Sequence, residues 1–163
     1  MKNIIVILLT LILSTNLMAA GSDSSSGSSS NEESLYEDAV KLVKRAGKFE
    51  KKDKTDKAKK LYSQAFDKLE KAYKSDKTNP DILNYMGFTT RKIGNFEKAE
   101  KFYLEGLSLK PNHHGINEYL GELYVQTNRL DKANERLNVL KSCNCKEYGE
   151  LELIIKTKGS KVY

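Results

Sequence analysis

Residues 80–111 read PDILNYMGFTTRKIGNFEKAEKFYLEGLSLKP. Leu83, Met86, Gly87 and Thr90 are apolar or small and fall three, one and three residues apart, which is one face of a helix. Gly94-Asn95 interrupts that face, and a second one follows at Phe96, Ala99, Phe102, Tyr103, Gly106 and Leu107 before Pro111 closes the unit. Two helices of about 14 residues joined by a tight glycine turn, inside about 34 residues, are the signature of a stacking helical repeat. Gly87 and Ala99 are small where paired helices would cross, and Gly94 suits a helix end that enters the left-handed region.

A real period reproduces itself. About 34 residues further on, Gly87 maps to Gly121, Met86 to Leu120, Thr90 to Tyr124, Ala99 to Ala133 and Tyr103 to Leu137. Gly94 maps to Asn128, a residue that also tolerates the left-handed region. Pro111 maps to Cys145, where the array is expected to end. In the other direction Ala65, Leu69 and Ala72 match Ala99, Tyr103 and Gly106, but the helix before them is displaced. Tyr36, Ala39, Val40 and Val43 make a face, followed by Gly47-Lys48-Phe49 in the manner of Gly94-Asn95-Phe96. The first repeat therefore carries an insertion of roughly a dozen residues, and three repeats is the usual minimum for a stable stack.

This pattern closely resembles the tetratricopeptide repeat family. The small–large–Gly pattern of the family's first helix matches Leu83, Met86 and Gly87, and the Ala, aromatic, small and Pro marks of its second helix match Ala99, Tyr103, Gly106 and Pro111. The resemblance implies an all-α solenoid of helix-turn-helix pairs in a right-handed superhelix, with repeats at about residues 33–77, 80–113 and 114–145. Tyr148, Leu151 and Ile155 share a face within 146–156, a segment placed to cap the last apolar surface. Residues 157–163 read as a frayed tail.

The chain of 163 residues has 39% hydrophobic residues, enough for one domain over 32–156. Residues 1–20, MKNIIVILLTLILSTNLMAA, have a positive start, an apolar run from Ile4 to Leu13 and small residues at the end. That is a secretory signal peptide pattern, with an uncleaved anchor as the alternative, and it points to a periplasmic or secreted protein. Residues 21–31, GSDSSSGSSSN, bury nothing and read as a tether, with Asn31 or Ser34 free to cap the first helix.

Charge is uneven. Lys41 to Lys77 holds 14 Lys/Arg and six Asp/Glu, a local +8 against +6 for the whole chain. Such runs are usually solvated helix faces; the functional alternative is an anionic surface met by Lys51, Lys52, Lys54, Lys57, Lys59 and Lys60. Nucleic acid is not the expected partner, because no groove-reading motif interleaves the lysines. His113 and His114 are adjacent, with no Cys, Asp or Glu at a ligand spacing, so no metal and no cofactor are expected.

No phosphate loop, nucleophile elbow or catalytic His–carboxylate pair is present, so function is assigned to surface rather than to an active site. In the family, partner peptides lie along the first helix of each pair. The resemblance then nominates Glu37, Lys41, Lys44, Arg45, Asn84, Phe88, Arg91, Lys92, Glu118, Glu122 and Gln126 as groove residues. Asn84, Arg91 and Lys92 partly resemble the family's clamp for a C-terminal carboxylate. Glu118 and Glu122 stand where further basic residues would help, which favours a mixed-charge peptide or helix of another protein.

Cys143 and Cys145 are the chain's two cysteines. A local disulfide, a redox or metal-binding pair, and free or separately bonded thiols all fit the spacing. The resemblance favours a structural bridge, because small exported proteins of this kind often carry a cysteine pair before the terminal helix, usually more widely spaced. The competing function is thiol–disulfide exchange at this pair.

Overall fold

The structure is a computed structural model and describes residues 26–159. The signal peptide expected at 1–20, the start of the Ser/Gly tract and residues 160–163 lie outside the described residues. The described chain is helical without a strand. Its elements are α1 (Ser26–Glu50), α2 (Thr55–Ser75), α3 (Pro80–Lys92), α4 (Phe96–Leu109), α5 (His114–Gln126), α6 (Leu130–Leu140) and α7 (Lys146–Lys156). Consecutive helices pack as α1/α2, α3/α4 and α5/α6 hairpins. Each hairpin leans on the next, and α7 packs on both α5 and α6.

Local chemistry sets the ends of these helices. Asn79 caps α3, its side chain accepting from the Asp81 N–H, with Pro80 at the first helical position. Asn95 caps α4 by accepting from the Lys98 N–H at 3.1 Å. His113 caps α5 through Nδ1, which accepts from the Ile116 N–H at 3.2 Å. Gly94 ends α3 at φ 99°, and Asn128 ends α5 at φ 57°, so the asparagine does take the left-handed place. In both turns a backbone N–H reaches back five residues: Asn95 to the Thr90 carbonyl and Arg129 to the Tyr124 carbonyl. Gly159 reaches back to Ile154 in the same way, so α7 ends like the first helix of a further repeat.

The core follows the repeat marks. Ala39, Ala65, Leu69, Ala72, Ile82 and Met86 fill the space between the first two hairpins. Ala99, Tyr103, Leu107, Ile116, Leu120, Leu123 and Ala133 do the same for the next two. A methyl group on Gly87 would lie 2.5 Å from the Tyr103 ring, and one on Gly121 would lie 2.5 Å from the Leu151 side chain. These two glycines let the helices close up, and Leu151 of α7 supplies for the third hairpin the surface Tyr103 supplies for the second.

The first hairpin departs from the expectation. α1 does not end at Gly47; it runs on to Glu50, and the left-handed turn residue is Asp53 at φ 56°. Its start also precedes Asn31 and Ser34, which lie inside the helix rather than at its cap, so six residues of the tract read as a tether are helical. The insertion leaves the turn short, at residues 51–54, and α1 and α2, with 25 and 21 residues, are both longer than α3 and α4, with 13 and 14. A third small cluster, Ala46, Ala58 and Tyr62, is the extra core that this extension needs.

Candidate functional site

The first helices of the hairpins, α1, α3 and α5, lie side by side and line a concave face. Its main cavity, about 490 Å³, is lined by Val43, Gly47, Glu50, Tyr62, Phe88, Arg91, Lys92, Tyr119 and Glu122, with Lys51 at the edge. Three rings run through it: Tyr62 to Phe88 at 5.9 Å between centroids and Phe88 to Tyr119 at 4.9 Å. Cations sit over those rings, Arg91 above Phe88 at 5.5 Å and Lys92 above Tyr62 at 5.8 Å.

The charges of the groove are mostly paired. Arg91 on α3 and Glu122 on α5 meet at 2.6 Å with side chains only 3% and 6% exposed. Arg91 also donates to the Gln126 side chain at 3.2 Å. Burial works against the guanidinium charge, but Glu122 outweighs it and holds Arg91 firmly protonated. Glu50 at the end of α1 takes two donors, the Lys92 ammonium at 2.8 Å and the Tyr62 hydroxyl at 2.8 Å. Burial, and then that carboxylate, push the Tyr62 phenol up; burial with Glu118 and Glu122 does the same to Tyr119. The floor thus presents neutral phenol rings and cation–ring stacks, a surface suited to apolar or aromatic side chains of an incoming chain.

Asn84, Phe88, Arg91, Lys92, Glu118 and Glu122 all line this face or the cavity beside it. Gln126 is exposed at its edge, and Asn84 and Glu118 are almost wholly buried. Lys41, Lys44 and Arg45 are not among the lining residues: all three are exposed, and Lys41 pairs with Glu37 at 3.7 Å and Asp38 at 3.5 Å on its own helix. From α1 the lining residues are instead Tyr36, Val43, Gly47 and Glu50. Treating Gly47 as the turn shifted the register of α1 by one residue, and one residue rotates a helix face by about 100°. Tyr62 reaches the groove from α2, a second helix, although its spacing marks it as core; it is both, with 1% of its surface exposed.

Beside the main cavity lies a more polar one of about 500 Å³, near Asp81, Asn84, Tyr85, His113, Glu118 and Lys146. Tyr36 and Tyr85 meet edge to face over it at 5.6 Å. His113 Nε2 lies 3.0 Å from Asp81 Oδ1 and joins the start of α5 to the start of α3. The Asn84 Oδ1 atom is buried there without a hydrogen-bond partner among the described residues.

At the joint of α6 and α7 the Sγ atoms of Cys143 and Cys145 stand at bonding distance, with their Cα atoms 5.1 Å apart. Cys145 is the N-cap of α7, so only Cys143 follows a helix end. His114, the first residue of α5, lies beside the pair: its ring nitrogen and the two sulfurs fall within 4.8 Å of one another. The sequence spacing of these three residues gave no sign of this grouping. At the far end, Lys51, Lys52, Lys54, Lys57, Lys59 and Lys60 are all exposed around the tip of the α1/α2 hairpin.

No protein-family model matches the chain. A stretch of 71 residues, 44% of this chain, is 31% identical to human protein O-mannosyl-transferase TMTC3 and spans 8% of that protein's length. Among solved structures, Pseudomonas aeruginosa PilF superposes with a TM-score of 0.52 at 19% identity, over 81% of this chain and 71% of that one. The Yersinia enterocolitica secretion chaperone SycD, solved with a peptide of the translocator YopD, reaches 0.46 at 16% identity over 74% and 88% of the two chains. The first tetratricopeptide domain of Spaghetti (RPAP3), solved with an HSP90 peptide, reaches 0.47 at 22% identity over 75% and 94%. Three stacked hairpins, glycine at the close crossings and a terminal helix on the last pair make the fold of this chain a tetratricopeptide-repeat solenoid.

Proposed function

We propose that this protein is an exported, non-enzymatic adaptor that holds an extended peptide or a helix of a partner protein in its concave groove. The observation that carries this reading is the ring line Tyr62–Phe88–Tyr119 along a cavity of about 490 Å³, with Tyr62 packed behind Phe88 and with Arg91 paired to Glu122 and Lys92 to Glu50 at its border. Apolar side chains of a partner can be buried there without stranding a charge, which is the condition for net affinity. Export rests on residues 1–20, and in an oxidising compartment Cys143 and Cys145 form a structural bridge between α6 and α7. The exposed lysines of the hairpin tip support a second contact, with an anionic surface.

A photo-reactive residue in place of Val43, on the groove, and another in place of Lys101, exposed on α4, test the reading. The groove probe should capture a partner that the α4 probe does not. A peptide from that partner should bind the purified chain and lose at least about tenfold in affinity with Phe88→Ala. Equal capture at both positions, or binding untouched by Phe88→Ala and Tyr119→Ala in folded protein, overturns it.

A further inference from the structure

We propose that Cys143, Cys145 and His114, once the sulfur pair is reduced, form a three-ligand site for a soft d10 cation, zinc(II) or copper(I). The geometry is close to what such an ion needs. Zinc–sulfur bonds of about 2.3 Å and zinc–nitrogen bonds of about 2.0 Å place ligand atoms of a tetrahedral site about 3.5–3.8 Å apart. Here the three ligand atoms already fall within 4.8 Å of one another. Once reduced, the two bonded sulfurs must part to that tetrahedral spacing while the imidazole draws in by about 1 Å, and the side chains have room to do so, since His114 is exposed and both cysteines are half-buried.

The surroundings suit the chemistry. α5 begins at His114 and α7 begins just after Cys145, and the positive end of α7 favours the deprotonated Cys145 sulfur an ion requires. Two thiolates and an imidazole select a soft or borderline cation over calcium or magnesium. The protein supplies three ligands, leaving a fourth position for water or for a donor from another molecule, the form of an exchangeable site rather than a closed structural one. His114 and the two cysteines come from segments that the cap helix brings together, so occupancy would tie the start of α5 to the joint of α6 and α7.

The site is gated by oxidation. While the two sulfurs are bonded to each other they are neutral, weak donors, and neither is the thiolate that such an ion requires. A dithiol reductant opens the bridge: the protein S–S bond accepts two electrons and two protons to give two thiols, and the reductant leaves as its own disulfide. Binding the cation then releases the two thiol protons.

The test uses the chain reduced by a dithiol without air and freed of reductant, with zinc(II) and copper(I) added separately against a chromophoric chelator, and cobalt(II) as the spectroscopic probe. One ion per chain, a thiolate-to-cobalt charge-transfer band, and no uptake by the oxidised chain are expected. Cys143→Ser or Cys145→Ser should abolish the band. His114→Ala, an exposed change that leaves the fold intact by circular dichroism, should weaken binding by at least about tenfold. The zinc and copper titrations decide which ion the site prefers. Failure of both ions to bind the reduced chain, uptake by the oxidised chain, or binding equally tight with His114→Ala overturns the site. None of these outcomes bears on peptide binding in the groove.

Discussion

Gly87 and Gly47 sit on neighbouring helices and do opposite things. A side chain on Gly87 would enter the Tyr103 ring, whereas a methyl group on Gly47 would meet nothing within 4 Å. Gly87→Ala should therefore cost about 1–3 kcal/mol through overpacking. Gly47→Ala, inside α1, should stabilise by about 0.5–1 kcal/mol because alanine is the better helix former. Urea unfolding of the two variants checks both signs. Arg91 gives the larger effect: Arg91→Met leaves Glu122 charged in a buried place and should cost about 3–5 kcal/mol, while adding Glu122→Met should return most of that loss. A double-mutant cycle in denaturant reads the difference. The sequence marked Arg91 and Glu122 as groove residues but showed nothing of their pairing, because a contact across 31 positions has no local spacing to betray it.

At the scale of helices, what the sequence made legible was what repeats. α3, α4, α5 and α6 fall where a fixed offset puts them, and α7 spans the segment read as a cap. The first hairpin was misread where the offset failed. Gly47-Lys48-Phe49 imitates a turn, yet the helix continues, because a lone glycine costs a long helix little and Ala46, Ala58 and Tyr62 hold the extension together. The groove face of α1 was lost with that register, and the His114–Cys143–Cys145 group was invisible because no repeat logic links a helix start to a joint one hairpin away. Between α4 and the start of α6, Arg129 grips Glu100 with two bonds at 3.0 and 2.9 Å. Burial pushes the Glu100 carboxyl up, but the guanidinium outweighs it and holds the group below the usual carboxylate range. A carboxyl lowered in the folded state stabilises above the ordinary glutamate value and loses that contribution as pH falls through the lower folded value. Wild-type protein should exceed Glu100→Gln in Tm at neutral pH, by up to about 1 kcal/mol in stability. The gap should close as pH drops below about 4.3; a gap constant down to strong acid would refute the assignment.

Taken whole, the molecule is a short stack with unequal members. At about 1.5 Å per residue, α1 with its 25 residues is nearly twice as long as α3 with 13. The turn that follows α1 and the first turns of α2 carry exposed lysines. Replacing Lys51, Lys52, Lys54, Lys57, Lys59 and Lys60 by glutamine should release the protein from anionic vesicles at low salt and leave its thermal unfolding nearly unchanged, since the groups are exposed and screened. Vesicle co-sedimentation measures this, and equal retention of both proteins would remove the anionic contact.

The Arg91–Glu122 bridge also stiffens the joint between α3 and α5. It crosses from α3 to α5 in a place nearly closed to water, so flattening the curve between those hairpins means separating opposite charges that water does not reach. The matching tie between α1 and α3, Lys92 to Glu50, is partly wetted and yields at little cost. The two ties therefore differ in what dissolved ions can reach: added salt weakens Lys92–Glu50 and leaves Arg91–Glu122 nearly untouched.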